Sequence, residues 1–412
     1  MSRGESNIAG RAGAYNRPPR NRSQPPLRGL GGGGKGDVPL APSPKTPGLY
    51  VHVPFCRGKC HYCDFYSIAD ISLVPVYLEA LERETRLYQG RFATFDTLYL
   101  GGGTPSLLSG PQLTALIETL HRHFSFAADT EITIEANPDD LYPEKLALLR
   151  DLGINRLSVG VQSLDDAELR FLGRRHPARQ AEQALKWARD AGFDNLGVDL
   201  IYALPGQEDG AWCRTLKTAL GFQPEHLSCY QLTLSPDTPL GQRQIRGEFA
   251  PPAEEAQRRL FLLTSRFLEA QGYRHYEVAN FARGEARRSR HNLKYWQHDP
   301  YLGLGPGAHS FDGSRRWWHH ASLDCYFQAL TRGQAPVAGE ETLTPEQLRL
   351  EACMLGLRTR EGLPLKSLSP SVRTQALPRL TQAGLMKVHR GRLLPTRKGL
   401  LLADRLPLWL AD

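Results

Sequence analysis

PFCRGKCHYCDFYS, residues 54–67, holds three cysteines, Cys56, Cys60 and Cys63, separated by three residues and then by two. Three sulfurs leave one position open on a four-coordinate centre. Three readings meet the pattern at this point. Structural zinc usually takes four ligands, often as two separated pairs. His61 would complete a Cys3His set, but chain neighbours such as Cys60 and His61 do not easily point at one tetrahedral ion. A chance grouping of buried thiols is opposed by the polar, glycine-containing loop around them. An iron–sulfur cubane takes thiolates on three irons and leaves the fourth open to a small molecule.

The stretch follows a short apolar run, GLYVHV (48–53). Five similar runs come after it: DTLYLG (96–101), EITIEA (131–136), RLSVGV (156–161), NLGVDLIY (195–202) and HLSCYQL (226–232). Between them lie amphipathic helical patterns, VYLEALERETRLYQ, PQLTALIETLHRHF, EKLALLRDLG and QAEQALKWARDAG, the last two closed by glycine. Strands alternating with helices predict a parallel sheet with right-handed crossovers. Six such units predict an α/β fold, a partial (β/α)6 barrel. The unusual residues fall at the ends of the runs, the face on which such barrels assemble active sites. Cys56 follows the first run, GGGTP the second, Glu135 and Asn137 end the third, Gln162 follows the fourth, and Asp199 lies in the fifth.

Beyond about residue 240 the pattern changes. The predicted division is a disordered, basic, Pro/Gly-rich tail (1–47), the barrel core (48–240), an extension carrying HNLKYW (241–335) and a small winged-helix-like α+β domain (336–412). In the last, MKVHRGRLLPT reads as a two-stranded hairpin turning at Arg390-Gly391. The chain has 412 residues, of which 41% are apolar, ordinary for a globular protein. No apolar run approaches the ~20 residues of a membrane span, and no secretory signal precedes the barrel. Four further cysteines are scattered singly, which suits a reducing compartment, the cytoplasm. The net charge of +8 is concentrated in the tail: eight Lys and Arg against two acids before residue 46 leave +6 there and +2 elsewhere. No nucleic-acid partner is therefore expected, and the charge of the last domain is not gathered on one element.

CxxxCxxC in a loop after the first strand of an α/β barrel resembles the radical S-adenosylmethionine (SAM) superfamily. LYVHVPFC, CDFYS, LYLGGGTPS, IEANPD, RLSVGVQS, FLGRRH, GVDLIYALPGQ and HNLKYW together resemble its coproporphyrinogen-dehydrogenase-like branch, from about Leu49 to Phe311. Within that branch the closest resemblance is to the HemW-type heme chaperones. The dehydrogenase carries a further cysteine two residues after the third, where this chain has Phe65, and HNxxYW is typical of the chaperones.

The resemblance implies a [4Fe–4S] cluster on Cys56, Cys60 and Cys63, its fourth iron chelated by SAM. It implies that Tyr62 covers the adenine and that Tyr50 approaches SAM from the first strand. Gly102, Gly103 and Thr104 would receive the methionine amino group, and Glu135 would face the cationic ligand. Gln162 and Asp199 would bind the ribose or methionine portion, and Arg174 the SAM carboxylate. For heme, His291 and His309 are the axial candidates, with Tyr295 and Trp296 as flat surfaces. The implied function is heme binding and delivery to an acceptor protein, with no catalytic residue assigned and room for peripheral membrane or homodimer contacts. The rival is oxidative decarboxylation of coproporphyrinogen III.

Overall fold

The structure, a computed structural model, describes residues 45–410. The expected basic tail lies almost wholly outside them. The first six strands are β1 (Gly48–Val53), β2 (Phe95–Gly102), β3 (Phe126–Ala136), β4 (Arg156–Gln162), β5 (Leu196–Tyr202) and β6 (His226–Gln231). They match the six apolar runs to within one residue at each end, except that β3 begins five residues before its run, and they pair in parallel in chain order. Helices fill the crossovers, among them Val74–Tyr88, Gly110–His123, Pro143–Asp151 and Ala178–Asp190. The second is started by a capping box of Ser109 and Gln112.

Each strand has two different faces, because successive side chains alternate. Leu49, Val51 and Val53 of β1 join Leu98, Leu100, Ile134, Val159, Val198 and Leu227 in the main apolar core, against Tyr77, Leu81 and Leu116 of the helices. The alternate positions carry Tyr50, Tyr99, Glu135, Ser158, Asp199 and Tyr230. The same chain pattern that buries the helices therefore lines the lumen with polar groups.

The parallel core does not close on itself. The extension adds β7 (Arg274–His275), β8 (Asn280–Ala282), β9 (Tyr301–Leu304), β10 (His309–Phe311), β11 (Arg315–His319) and β12 (Val337–Thr342). On one side β9 runs parallel to β1 and leads to antiparallel β10, β11 and β12; on the other, β8 and β7 continue from β6. Both edges of the six-stranded core are thus covered. Buried Glu84 of helix Val74–Tyr88 ties the extension to the barrel: it accepts from the Gly305 N–H at 2.8 Å and the Tyr326 hydroxyl at 2.6 Å, and lies 2.9 Å from His319 Nδ1. The main sheet runs past the predicted boundary at 336, because β12 pairs with β11 as far as Thr342.

The small C-terminal unit has its own core around Leu357, Leu393 and Leu406. Its hairpin, β14 (Met386–His389) with β15 (Arg392–Pro395), turns at Arg390 and Gly391, both at positive φ as the tight hairpin turn requires. A third strand, β13 (Leu363–Pro364), completes the sheet; at two residues it carries no readable period. The helical stretch before the hairpin divides into a π-turn, Val372–Ala376, and a helix, Leu377–Gln382, whose second residue is Pro378, which has no N–H to continue the ladder. Among the described residues no helix is long and apolar enough to cross a membrane.

Candidate functional site

The loop after β1 is closed by its own backbone. Cys56 N–H donates to the Ile68 carbonyl (2.9 Å), Ile68 N–H to the Pro54 carbonyl (2.8 Å) and Cys63 N–H to the Cys60 carbonyl (3.1 Å). All three cysteines are half-buried and line one cleft at the C-terminal ends of the strands, with about 1290 Å³ of empty space including open solvent. The cleft is open to solvent, and beyond the cysteines its wall carries Glu135, Gln162, Asp199 and Tyr230. Burial pushes the Cys56 thiol up and the Cys63 thiol up to about 12. A metal reverses this, because a coordinated thiol is deprotonated.

His61 supplies no fourth ligand. Its Nδ1 is turned to the Phe171 carbonyl at 3.3 Å, and its ring packs on Gly173, where a Cβ would come within 2.7 Å. Among the described residues no three His, Cys, Asp or Glu side chains converge as a single ion would need. A cubane asks for less convergence, since each sulfur meets its own iron. The donor set therefore fits an iron–sulfur cluster with one open iron better than zinc.

The GGGTP turn is pressed against this loop. Gly103 N–H donates to the Val53 carbonyl (2.8 Å), and a Cβ on Gly103 would lie 2.6 Å from the Phe55 carbonyl oxygen. Gly102 has φ +111°, a conformation open to glycine alone. Thr104 follows, buried, with its hydroxyl 3.3 Å from the Cys56 sulfur.

Glu135 and Asp199 bring two carboxyls into the lumen. Glu135 accepts from the Tyr99 hydroxyl and the Gly102 N–H, yet burial raises it to about 7. Asp199 finds the partner that an acid in a buried strand needs in Ser158, 3.1 Å away, although burial still holds it above the usual carboxylate range. Gln162 sits at a bulge between β4 and β5 with φ +68°, a strained conformation for a side-chain-bearing residue, and it lines the cleft. Tyr62 lines the cleft beside Ile201 and packs against the apolar group of Leu172 and Leu204. Tyr50 lies in an adjoining small cavity with Tyr99, Phe65 and Tyr295.

Arg174 is committed to the protein. Its Nε–H donates to His176 Nε2 (3.2 Å), one terminal nitrogen to the Cys60 sulfur (3.3 Å), and the other to Asn137 Oδ1 (2.7 Å) and the Gly160 carbonyl (2.5 Å). Burial opposes its charge, but Tyr62 and Cys60 outweigh that and hold the guanidinium above its ordinary value. His176 is pushed down to about 4 by burial and by Arg174, so it accepts as a neutral ring.

The heme candidates divide. His291 is buried, with Nδ1 2.8 Å from the Thr97 hydroxyl and Nε2 2.9 Å from the Tyr295 hydroxyl, and burial lowers it to about 3. Both ring nitrogens are engaged. Trp296 is buried among Tyr276, Ala282 and Leu293. Tyr295 borders two small cavities in the lumen. His309 stands apart on β10, half-buried and stacked on Trp318 at 6.0 Å. Cys229 lies in the main core. Sequence reasoning gave no role to Ser158 and Tyr230, which line the cleft. Strand alternation through Asp199 and its neighbours would have found them.

Residues 50–219 match the Radical SAM superfamily and residues 343–402 the HemN C-terminal domain. Fold and site together define a radical SAM protein, whose cofactors are a [4Fe–4S] cluster and SAM. The heme chaperone HemW of Mycobacterium tuberculosis is 39% identical over 374 residues, 89% of this chain and 95% of that one. HemW of Bacillus subtilis is 34% identical over 371 residues, 86% of this chain and 96% of the relative. The structure of coproporphyrinogen III oxidase (HemN) from Escherichia coli superposes with a TM-score of 0.77 and 26% identity, covering 89% of this chain and 90% of that one. The chain belongs to the HemW family of radical SAM proteins.

Proposed function

We propose that this protein is a heme chaperone that binds heme and delivers it to an acceptor protein. One observation carries the reading: the match to HemW of Mycobacterium tuberculosis covers 95% of that chaperone and 89% of this chain, and so reaches barrel, extension and C-terminal unit alike. Its compartment in this reading is the cytoplasm, where the thiols stay reduced.

Cys56, Cys60 and Cys63 would hold the cluster, and the glycine surface of residues 102–104 would receive the amino-acid end of SAM. Tyr62 and Ile201 form the apolar side of the cleft and suit the adenine. Glu135 and Asp199 supply negative charge toward a cationic ligand once ionised. When bound, the cluster would supply one-electron reducing chemistry toward SAM. The half-buried Phe65 lines both the cleft and the small cavity beside Tyr295.

Coproporphyrinogen III dehydrogenation is the second reading, favoured by the likeness to HemN and opposed by Phe65 in place of a fourth cysteine. Anaerobically reconstituted protein separates them. Saturable, stoichiometric hemin binding followed by absorbance, without turnover of coproporphyrinogen III in the presence of SAM and a low-potential reductant, supports the chaperone. Turnover with weak hemin binding reverses the ranking.

A further inference from the structure

Two polar side chains outside the cysteine motif act on one of its sulfurs. Arg174 donates to Asn137 Oδ1 at 2.7 Å, which fixes the amide with its nitrogen turned the other way. That nitrogen donates to the Thr104 hydroxyl oxygen at 3.3 Å. The Thr104 oxygen therefore has its own proton left to give, and the Cys56 sulfur lies 3.3 Å away. Between thiol and hydroxyl either group can donate. A metal-bound thiolate has no proton, so with the cluster in place the hydroxyl alone can be the donor. The geometry is held from both ends: Gly103 is packed on the Phe55 backbone, and Asn137 N–H donates to buried Ser106 at 3.1 Å.

We propose that Asn137 and Thr104 are positioning residues that aim a hydroxyl proton at the Cys56 sulfur and so raise the reduction potential of the cluster. A hydrogen bond to a ligating sulfur offsets negative charge, and reduction adds negative charge, so the bond favours the reduced state. Asn137 acts through Thr104 and itself touches no sulfur. The inference rests on the cluster reading of the three cysteines and is independent of heme delivery.

The test compares the reconstituted full chain with Thr104→Val, Thr104→Ser and Asn137→Ala. Iron and sulfide content is read first, then the midpoint potential by redox titration followed by electron paramagnetic resonance. Thr104→Val keeps the shape without the hydroxyl, and its midpoint falls by the equivalent of roughly a tenfold loss in the reduction equilibrium, about 59 mV for one electron. Thr104→Ser restores the wild-type value, and Asn137→Ala falls between the two. A loaded Thr104→Val protein with an unchanged midpoint, or a serine variant shifted as far as valine, overturns the proposal. If Thr104→Val takes up no cluster, Asn137→Ala decides, since it keeps the hydroxyl while removing what orients it, together with one acceptor of Arg174; an unchanged midpoint there is equally fatal. A wild-type chain that takes up no cluster overturns the cysteine reading itself, and this proposal with it.

Discussion

The Tyr99 hydroxyl donates to Glu135 at 2.8 Å, from one strand of the barrel to the next, yet the carboxyl still stands near 7 because burial outweighs the bond. Between its ordinary value of 4.5 and about 7, the folded chain keeps a proton that the unfolded chain has lost. Any stability this group contributes is therefore complete below 4.5 and is lost as pH rises through 7. Ligand binding runs the other way, because SAM is a cation and an ionised Glu135 attracts it. SAM affinity is expected to tighten from pH 6 to pH 8. Glu135→Gln should remove that step and weaken binding roughly tenfold at pH 8. Calorimetric titration at several pH values checks both; an equal step in the variant would assign the titration elsewhere.

Glu277 gives the matching stability experiment away from the cleft. It is buried beside Arg358, and burial raises it to about 7. Glu277→Gln should leave the melting temperature nearly unchanged at pH 5 and raise it above pH 7, where the wild type holds a buried charge. Thermal unfolding across pH 5 to 8 is the measurement. A variant less stable than wild type at pH 8 would mean that the pairing with Arg358 outweighs desolvation.

Cysteine substitutions should sort by place. Cys56→Ser, Cys60→Ser and Cys63→Ser are each expected to lose the iron–sulfur absorbance and most of the bound iron. Cys229→Ala, in the apolar core, and Cys325→Ala, exposed on helix Leu323–Thr331, should keep both. Iron content after anaerobic reconstitution decides.

Hemin binding should depend on His309 more than on His291. Removing the buried His291 ring strands the Thr97 and Tyr295 hydroxyls and leaves a cavity, at a cost of about 2–4 kcal/mol in stability. His309→Ala, at the half-buried start of β10, is expected to weaken hemin roughly tenfold or more with a smaller change in melting temperature than His291→Ala. The reverse pattern in paired absorbance and melting experiments would make His291 the ligand.

Gln162 separates backbone from side chain. Its positive φ costs on the order of 1–2 kcal/mol for any residue but glycine. Gln162→Gly should therefore be tolerated in melting experiments, while SAM binding weakens through loss of the amide. A sharp fall in stability would show that the side chain holds the bulge.

Much of this was readable before folding. The six apolar runs match β1–β6 because a parallel strand covered by helices needs a local apolar stretch, and locality is what a sequence displays. The Arg390-Gly391 turn was legible for the same reason, since the tight turn demands those backbone angles from adjacent residues. The two-residue β13 and the reach of β12 to Thr342 were not, because pairing with a distant strand defines them and no local period does.

Residue type and spacing alone set the donor chemistry: three thiols within eight residues, a glycine turn and carboxyls at strand ends. Tertiary structure decided which groups meet. It joined Arg174 to Cys60 across 114 positions and Thr104 to Cys56 across 48, turned His61 away from the cluster loop, and spent both nitrogens of His291 in the core. A hydrogen bond is made by distance and direction between atoms. For residues far apart in the chain those are fixed only when the sheet brings the strand ends together.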